Sequence, residues 1–156
     1  MRESMRIDYE ELKIQVLESL DHNKVWVLST EAEHKVTSRS MSIVHRGLQI
    51  YFQTNECYVK AEQMQKNNNV ALCTGNISRE GTAKVIGSWR EEKNKELMEL
   101  YASVHPGSFE AYGMLEGQVV YEVAPSIVKL WKYIDGTPIR QNLYVEEKMA
   151  EQLDFM

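Results

Sequence analysis

Thr54, Asn55 and Lys60 stand within IYFQTNECYVKAEQMQKN (50–67), a segment whose front half alternates like a strand and whose back half repeats like a helix. A helix that starts after Thr54-Asn55 presents backbone N–H groups without intrahelical acceptors in its first turn. Those groups and the helix dipole favour an anion. Lys60, about one turn in, can reach back to that point, and Thr54 adds a hydroxyl. The chemistry such a set performs is phosphate binding. The competing reading gives Asn55 only a helix-capping role and leaves Lys60 as a solvated surface lysine.

Arg39 is the second candidate. It sits mid-strand in TSRSMSIV (37–44), on the same face as Met41 and Ile43. An arginine on an apolar strand face calls for a carboxylate or phosphate partner. The hairpin SIVHRGLQ brings this strand beside residues 48–54, which places Arg39 and the Thr54 hinge at one end of neighbouring strands. An ion pair with one of the chain's acidic residues, or a snorkelling edge position, is the alternative.

Other chemistries find little support. There is no G-x-G-x-x-G, Walker or H-E-x-x-H motif. Cys57 and Cys73 lack C-x-x-C spacing, and His22, His34, His45 and His105 lack metal-ligand spacing, so no metal site is expected. No nucleophile–base pair can be read, and no general acid is assigned; His105 is the nearest candidate. Trp89, Trp131, Tyr133 and Tyr144 read as core or interface aromatics. A chain with so few acid–base groups would take its reactivity from a cofactor.

These residues must be positioned by a predominantly β framework. The pattern predicts a helix over 8–20 capped by Asp8, a strand at 25–30, a strand at 35–44 and a hairpin return at 48–54. A helix follows at 57–67, then a strand at 70–75. Glu80-Gly81 is expected to turn the chain into a strand from Thr82, and a helix over 94–104 is expected to end at Pro106-Gly107. Residues 117–134 read as one or two strands interrupted near Pro125. DGTP (135–138) reads as a turn, and the tail from about 145 as a short helix. Early hairpins favour an antiparallel sheet over βαβ units, and a small barrel with peripheral helices is the simplest packing.

The bulk numbers agree. The 156 residues suit one domain, residues 1–156. A net charge of −5 argues against non-specific nucleic-acid binding. No apolar run approaches the ~20 residues of a membrane span. The start, MRESMRIDYEEL, has no signal-peptide core, and two thiols without a leader predict a reducing, cytoplasmic location.

Three segments, taken in order and spacing, resemble the pyridoxamine 5′-phosphate oxidase-like family of flavin-binding split barrels. SRSMSIV is similar to its arginine-containing strand, YFQTNECYVKAEQMQKNNNVAL to its strand–T-N–x4–Lys–helix–N-x-x-V segment, and GTAKVIGSW to the strand after it. The resemblance implies a six-stranded antiparallel split β-barrel, mainly β with peripheral helices, that binds FMN at a homodimer interface. By position, Arg39 and Lys60 would contact the FMN phosphate, and Thr54 the phosphate or ribityl chain, with Asn55 beside it. Ser40 and Met41 would run along the isoalloxazine through strand backbone groups, and Trp131 would face the flavin from the partner subunit. Thr82 occupies the cofactor position where the oxidase has glutamine.

Departures point away from the oxidase itself. Val59 replaces the arginine before the phosphate lysine, HPGSFEAY lacks the substrate-phosphate arginine, and the C-terminal Arg–His substrate motif is absent. The chain is more similar to the smaller bacterial members, general stress proteins and nitroimidazole-resistance-type reductases. The expectation is an FMN-dependent small-molecule oxidoreductase, with NADH or NADPH as the possible electron donor. Two alternatives stay open: a non-catalytic flavin or haem binder, and a cofactor-free barrel acting through protein contacts.

Overall fold

The computed structural model describes residues 3–154. Helix α1 (Tyr9–His22) follows the short strand β1 (Ser4–Ile7). Asp8 caps α1, its carboxylate accepting the Glu11 N–H at 2.9 Å. Leu12, Val16 and Leu20, four residues apart, form its buried stripe. Strands β2 (Val25–Ala32) and β3 (Lys35–Ser42) pair antiparallel, with Leu28 opposite Arg39. Alternation points Trp26, Leu28 and Thr30 inward.

The hairpin β4 (Val44–Arg46) and β5 (Gln49–Asn55) turns at Gly47, whose φ of +57° suits glycine. β5 is buried on both faces. Ile50 and Phe52 join the main core, while Tyr51 belongs to a second cluster with Trp89, Leu97, Tyr101 and Val120. Helix α2 (Val59–Lys66) leads to β6 (Asn69–Thr74) and β7 (Ile77–Gly87). A short 3-10 turn precedes α3 (Lys95–Val104) and α4 (Pro106–Tyr112). The chain closes with β8 (Gln118–Ile134), β9 (Thr137–Tyr144) and β10 (Met149–Asp154).

The long strand β8 organises the sheet. On one edge it pairs with β7. On the other it pairs first with β5, from Gln118 to Val123, and then with β9, from Ile127 to Ile134. The sheet splits between those partners. The hydrogen-bonded path β1-β10-β9-β8-β7-β6-β2-β3 ends at β1 and β3 without closing, and β4–β5 branch off β8. The result is an antiparallel split barrel, mainly β with peripheral helices. It is an open one, and its sheet has ten strands among the described residues rather than the six expected.

Several local expectations are corrected. Glu80-Gly81 is not a turn; the chain turns at Gly75-Asn76, and β7 runs straight through. β8 is not interrupted at Pro125. Glu80 faces Ile127 and Gly81 faces Pro125, so Ser126 is the extra residue of a bulge. The bulge takes in a proline that has no N–H for the ladder. The Ser126 hydroxyl donates to the Glu80 carbonyl at 3.1 Å across this irregularity. Pro106 ends α3 as expected but also opens α4, at a position where its missing N–H costs nothing. The tail is the strand β10, not a helix. Pairing with β9 and β1 on its two edges overrides the helix-forming Met, Ala, Glu and Gln.

A Cβ on Gly81 would stand 2.3 Å from the Ala124 carbonyl oxygen across the β7–β8 ladder. Gly81→Ala is therefore expected to lower stability by about 1–3 kcal/mol through overpacking, read as a lower urea midpoint at unchanged m-value.

Candidate functional site

A groove of about 310 Å³ opens where β3, β5, the start of α2, α3, α4 and the start of β8 meet. Ser40, Met41 and Ser42 form one wall, and Gln53 and Thr54 the floor. Tyr58 and Lys60 stand at one side, Tyr101, Ser108, Tyr112 and Gln118 at the other.

The hinge differs from its sequence reading. Asn55 does not cap α2. Its Oδ1 accepts the Cys57 N–H at 3.1 Å and its Nδ2 donates to the Glu116 carbonyl at 3.1 Å. The helix begins later, with Tyr58 in the cap position, and the first intrahelical bond joins the Glu62 N–H to the Tyr58 carbonyl at 3.1 Å. The amides of Val59, Lys60 and Ala61 thus precede the helical ladder, beside the groove rather than at Asn55.

Arg39 lies behind Lys60. Its Nη1 donates to the Leu28 carbonyl at 3.2 Å and to Thr30 Oγ1 at 2.9 Å, and its Nη2 to Thr37 Oγ1. Thr30 and Thr37 each donate to Oε1 of the buried Gln63 at 2.6 Å. Gln63 Nε2 donates in turn to the Lys35 carbonyl at 3.2 Å. This network locks α2 to β2 and β3 and fixes the guanidinium. Every acceptor in it is neutral. Among the described residues, no carboxylate lies within 4.0 Å of Arg39 or Lys60. The ion pair that was the alternative reading of Arg39 is therefore absent there.

Lys60 lines the groove without a counter-charge, and the charge of Arg39, outside the lining, acts on it. Burial, and then the nearby Arg39 charge, push the Lys60 ammonium below the ordinary lysine value. Burial likewise lowers Arg39. Lys60 Nζ also sits 4.8 Å from the centre of the Tyr58 ring. Beside them Thr54, 3% exposed, holds an Oγ1 that no protein group hydrogen-bonds. A buried hydroxyl without a partner next to two uncompensated cations is the chemistry of an anion seat. These residues fit a flavin phosphate.

The opposite wall is set by neutral polar contacts. Trp89 Nε1 donates to Gln53 Oε1 at 2.9 Å, and Gln53 Nε2 donates to the Ser108 carbonyl at 3.1 Å and hydroxyl at 3.0 Å. Tyr101 OH shares a 3.1 Å hydrogen bond with Ser108 Oγ. His105 Nε2 is bonded at 2.8 Å to the Ile43 carbonyl, so it must donate there and ties the end of α3 to the link between β3 and β4.

Ser40, Met41, Thr54 and Lys60 are thus brought to one groove, with Arg39 behind and Asn55 bracing the loop. Thr82 and Trp131 are not part of it within one chain. Thr82 lines a larger cavity of about 550 Å³ over β2, β6 and β7, whose lining contains Glu31 and Glu80 but no lysine or arginine. Trp131 lies near the far end of β8, 39% exposed, edge-on to Tyr133 at 4.9 Å. Sequence reasoning missed Gln63, Thr30, Thr37 and the Gln53–Ser108 contacts. The only signal for Gln63 was a polar residue on the helix face shared with Met64.

The architecture is that of an open split barrel, the fold that the sequence resemblance implied. No protein-family model matches the sequence. General stress protein 26 of Bacillus subtilis (strain 168) is 29% identical over 143 residues, covering 88% of this chain and all of that protein. Among solved structures, a Listeria innocua protein named for pyridoxamine 5′-phosphate oxidase matches with a TM-score of 0.60 and 20% identity, over 76% of this chain and 97% of its own. A Mesorhizobium loti protein described as FAD-binding matches at 0.62 with 10% identity, over 99% of this chain and 100% of its own. The haem storage protein HutZ of Vibrio cholerae matches at 0.62 with 11% identity, over 73% of this chain and 89% of its own.

Because Lys60 is held below its unfolded value, its proton disfavours the folded state at neutral pH. That cost fades as pH rises through the lowered value toward the ordinary 10.5. Lys60→Met is therefore expected to raise the Tm in phosphate-free buffer near pH 7, with the gain shrinking at strongly alkaline pH. An unchanged or lower Tm would show that Lys60 carries no such cost.

Proposed function

We propose that this protein binds flavin mononucleotide and acts as an FMN-dependent reductase on a small molecule, working as a cytoplasmic homodimer. The observation that carries the reading is the uncompensated Lys60–Arg39 pair beside the orphaned Thr54 hydroxyl, at the head of a groove. Lys60 and Arg39 would hold the phosphate by charge-assisted hydrogen bonds, and Thr54 would donate to a phosphate or ribityl oxygen. The backbone of Ser40 and Met41 would border the ring, with Tyr58 and Tyr112 flanking the opening. Trp131 and Thr82, remote from the groove of their own chain, would act from the second subunit.

The bound flavin supplies the electron-transfer chemistry, with NADH or NADPH as donor. The chain's own residues bind, orient and exclude water. Support comes from the flavin-binding description of the Mesorhizobium loti protein on the same fold.

A second reading has one observation in its favour. The lining of the groove includes no histidine and no carboxylate, and His105 is engaged with a backbone carbonyl, which leaves Lys60 and three tyrosines as its only titratable groups among the described residues. That suits a protein that holds flavin without turning it over. The same lack of a histidine disfavours a haem role like that of the Vibrio cholerae neighbour. A cofactor-free barrel acting through protein contacts leaves the anion seat without a purpose.

Purified protein is expected to retain FMN absorption bands after loading and desalting. Lys60→Ala should weaken FMN binding by about 1.5–3 kcal/mol, the usual loss for a hydrogen bond to a charged group. A protein that stays colourless, or a variant with unchanged affinity, removes the site from consideration. Anaerobic addition of NADH or NADPH then separates the two flavin readings: bleaching of the flavin bands supports the reductase, and persistent bands support the holder.

A further inference from the structure

The hydrogen bonds behind the groove all run in one direction, and Gln63 sets it. Gln63 is 5% exposed, on the buried side of α2. Its Nε2 meets the Lys35 carbonyl at 3.2 Å. A backbone carbonyl only accepts, so the amide nitrogen must face it and Oε1 must face the threonines. Thr30 and Thr37 have one hydroxyl proton each, and both give it to that oxygen at 2.6 Å. Their own oxygens can then only accept. The 3.3 Å approach between the two hydroxyls therefore carries no proton. Arg39, which donates and never accepts, is the group that matches them.

A guanidinium has five N–H donors in a fixed fork. Nη1 of Arg39 uses two, on Thr30 Oγ1 and the Leu28 carbonyl, and Nη2 uses one on Thr37 Oγ1. The two threonine oxygens, 3.3 Å apart, thus take the Nη1–Nη2 end of the fork. What is left is Nε–H and the outer N–H of Nη2, for which no protein acceptor stands within hydrogen-bond distance among the described residues. Those two N–H groups are parallel, and they are the pair that bonds two oxygens of one phosphate side by side. Arg39 is only half-buried, and its Nε is not sealed from solvent.

Gln63 stands three residues after Lys60 on α2, so one helix sets both cations. Without Oε1 of Gln63, the threonine hydroxyls would be free to turn their protons toward each other or toward Arg39, and the fork would lose its fixed acceptors. Building on the flavin mononucleotide reading of the groove, we propose that Gln63 is a positioning residue that makes the seat selective for a phosphomonoester. It fixes the proton direction through Thr30 and Thr37, and so reserves the Nε–Nη2 edge of Arg39 for the phosphate. Gln63 is not in the lining of the groove and acts only through Arg39.

The test compares FMN with riboflavin, which has the same ring and ribityl chain but no phosphate. Dissociation constants of both are read by flavin fluorescence quenching on the whole protein, for wild type and Gln63→Met. Methionine keeps the length and bulk of the side chain and removes both halves of the amide. Wild type should bind FMN more tightly than riboflavin. Gln63→Met should lose about tenfold in FMN affinity, the low end for a hydrogen bond to a charged group, and less than about twofold for riboflavin. An equal loss for both ligands would make Gln63 a mere support for α2 and overturns the proposal, as does an unchanged FMN affinity. Wild type that shows no preference for FMN overturns the phosphate seat itself, and this role with it. Should Gln63→Met fail to fold, Thr37→Val, at a half-buried strand position, removes one acceptor of the fork and is read with the same two ligands. A loss confined to FMN supports the proposal, and an equal loss or none overturns it.

Discussion

The fold depends on one strand serving three partners. β8 is long enough to pair with β7 along one edge while β5 and β9 share the other. Since β5 pairs only with the first part of β8, it leans out of the sheet that β9 continues. That leaves β5 packed on both faces, with the main core on one side and the α3 cluster on the other. The placement of Thr54 at the groove follows from this. A hydroxyl near the end of a strand with two covered faces is buried, and no protein group among the described residues bonds it.

The groove shows the usual conflict between stability and binding. Lys60 and Arg39 repel each other in a partly desolvated space, and the residues that hold Arg39 in place are neutral threonines and a buried glutamine. A carboxylate would have neutralised the guanidinium and emptied the seat of its charge. Neutral acceptors orient it and leave its field intact for an anion. Active and binding sites are built this way at the expense of the fold around them.

The neighbours on this fold are described as binding different things, FAD in one case and haem in another. A split barrel therefore says little about its ligand; the polar groups set into it do. Here the groove has a cationic head, aromatic flanks in Tyr58, Tyr101 and Tyr112, and neutral amides and hydroxyls between. Such a surface suits a ligand with an anionic tail and a flat, uncharged body.

The sequence by itself determined the parts that local physics controls. The amphipathic period of α1, its Asp8 cap, the alternation of β2 and β3, and the strand that runs into α2 were all legible, because each depends on neighbours a few residues away. So was the hinge that sets Thr54 close to Lys60, which the structure brings to one groove. Tertiary structure alone decided the rest. The tail became β10 because two strands were available to pair with it, and β8 stayed whole past Pro125 because Ser126 could bulge against Glu80. Gln63 of α2 anchors the network around Arg39, whose members Thr30 and Thr37 come from β2 and β3. Asn55 read as a cap and turned out to brace a loop against Glu116, far away in sequence. A contact of that kind leaves no periodic trace in the chain, so only the packing of distant strands reveals it.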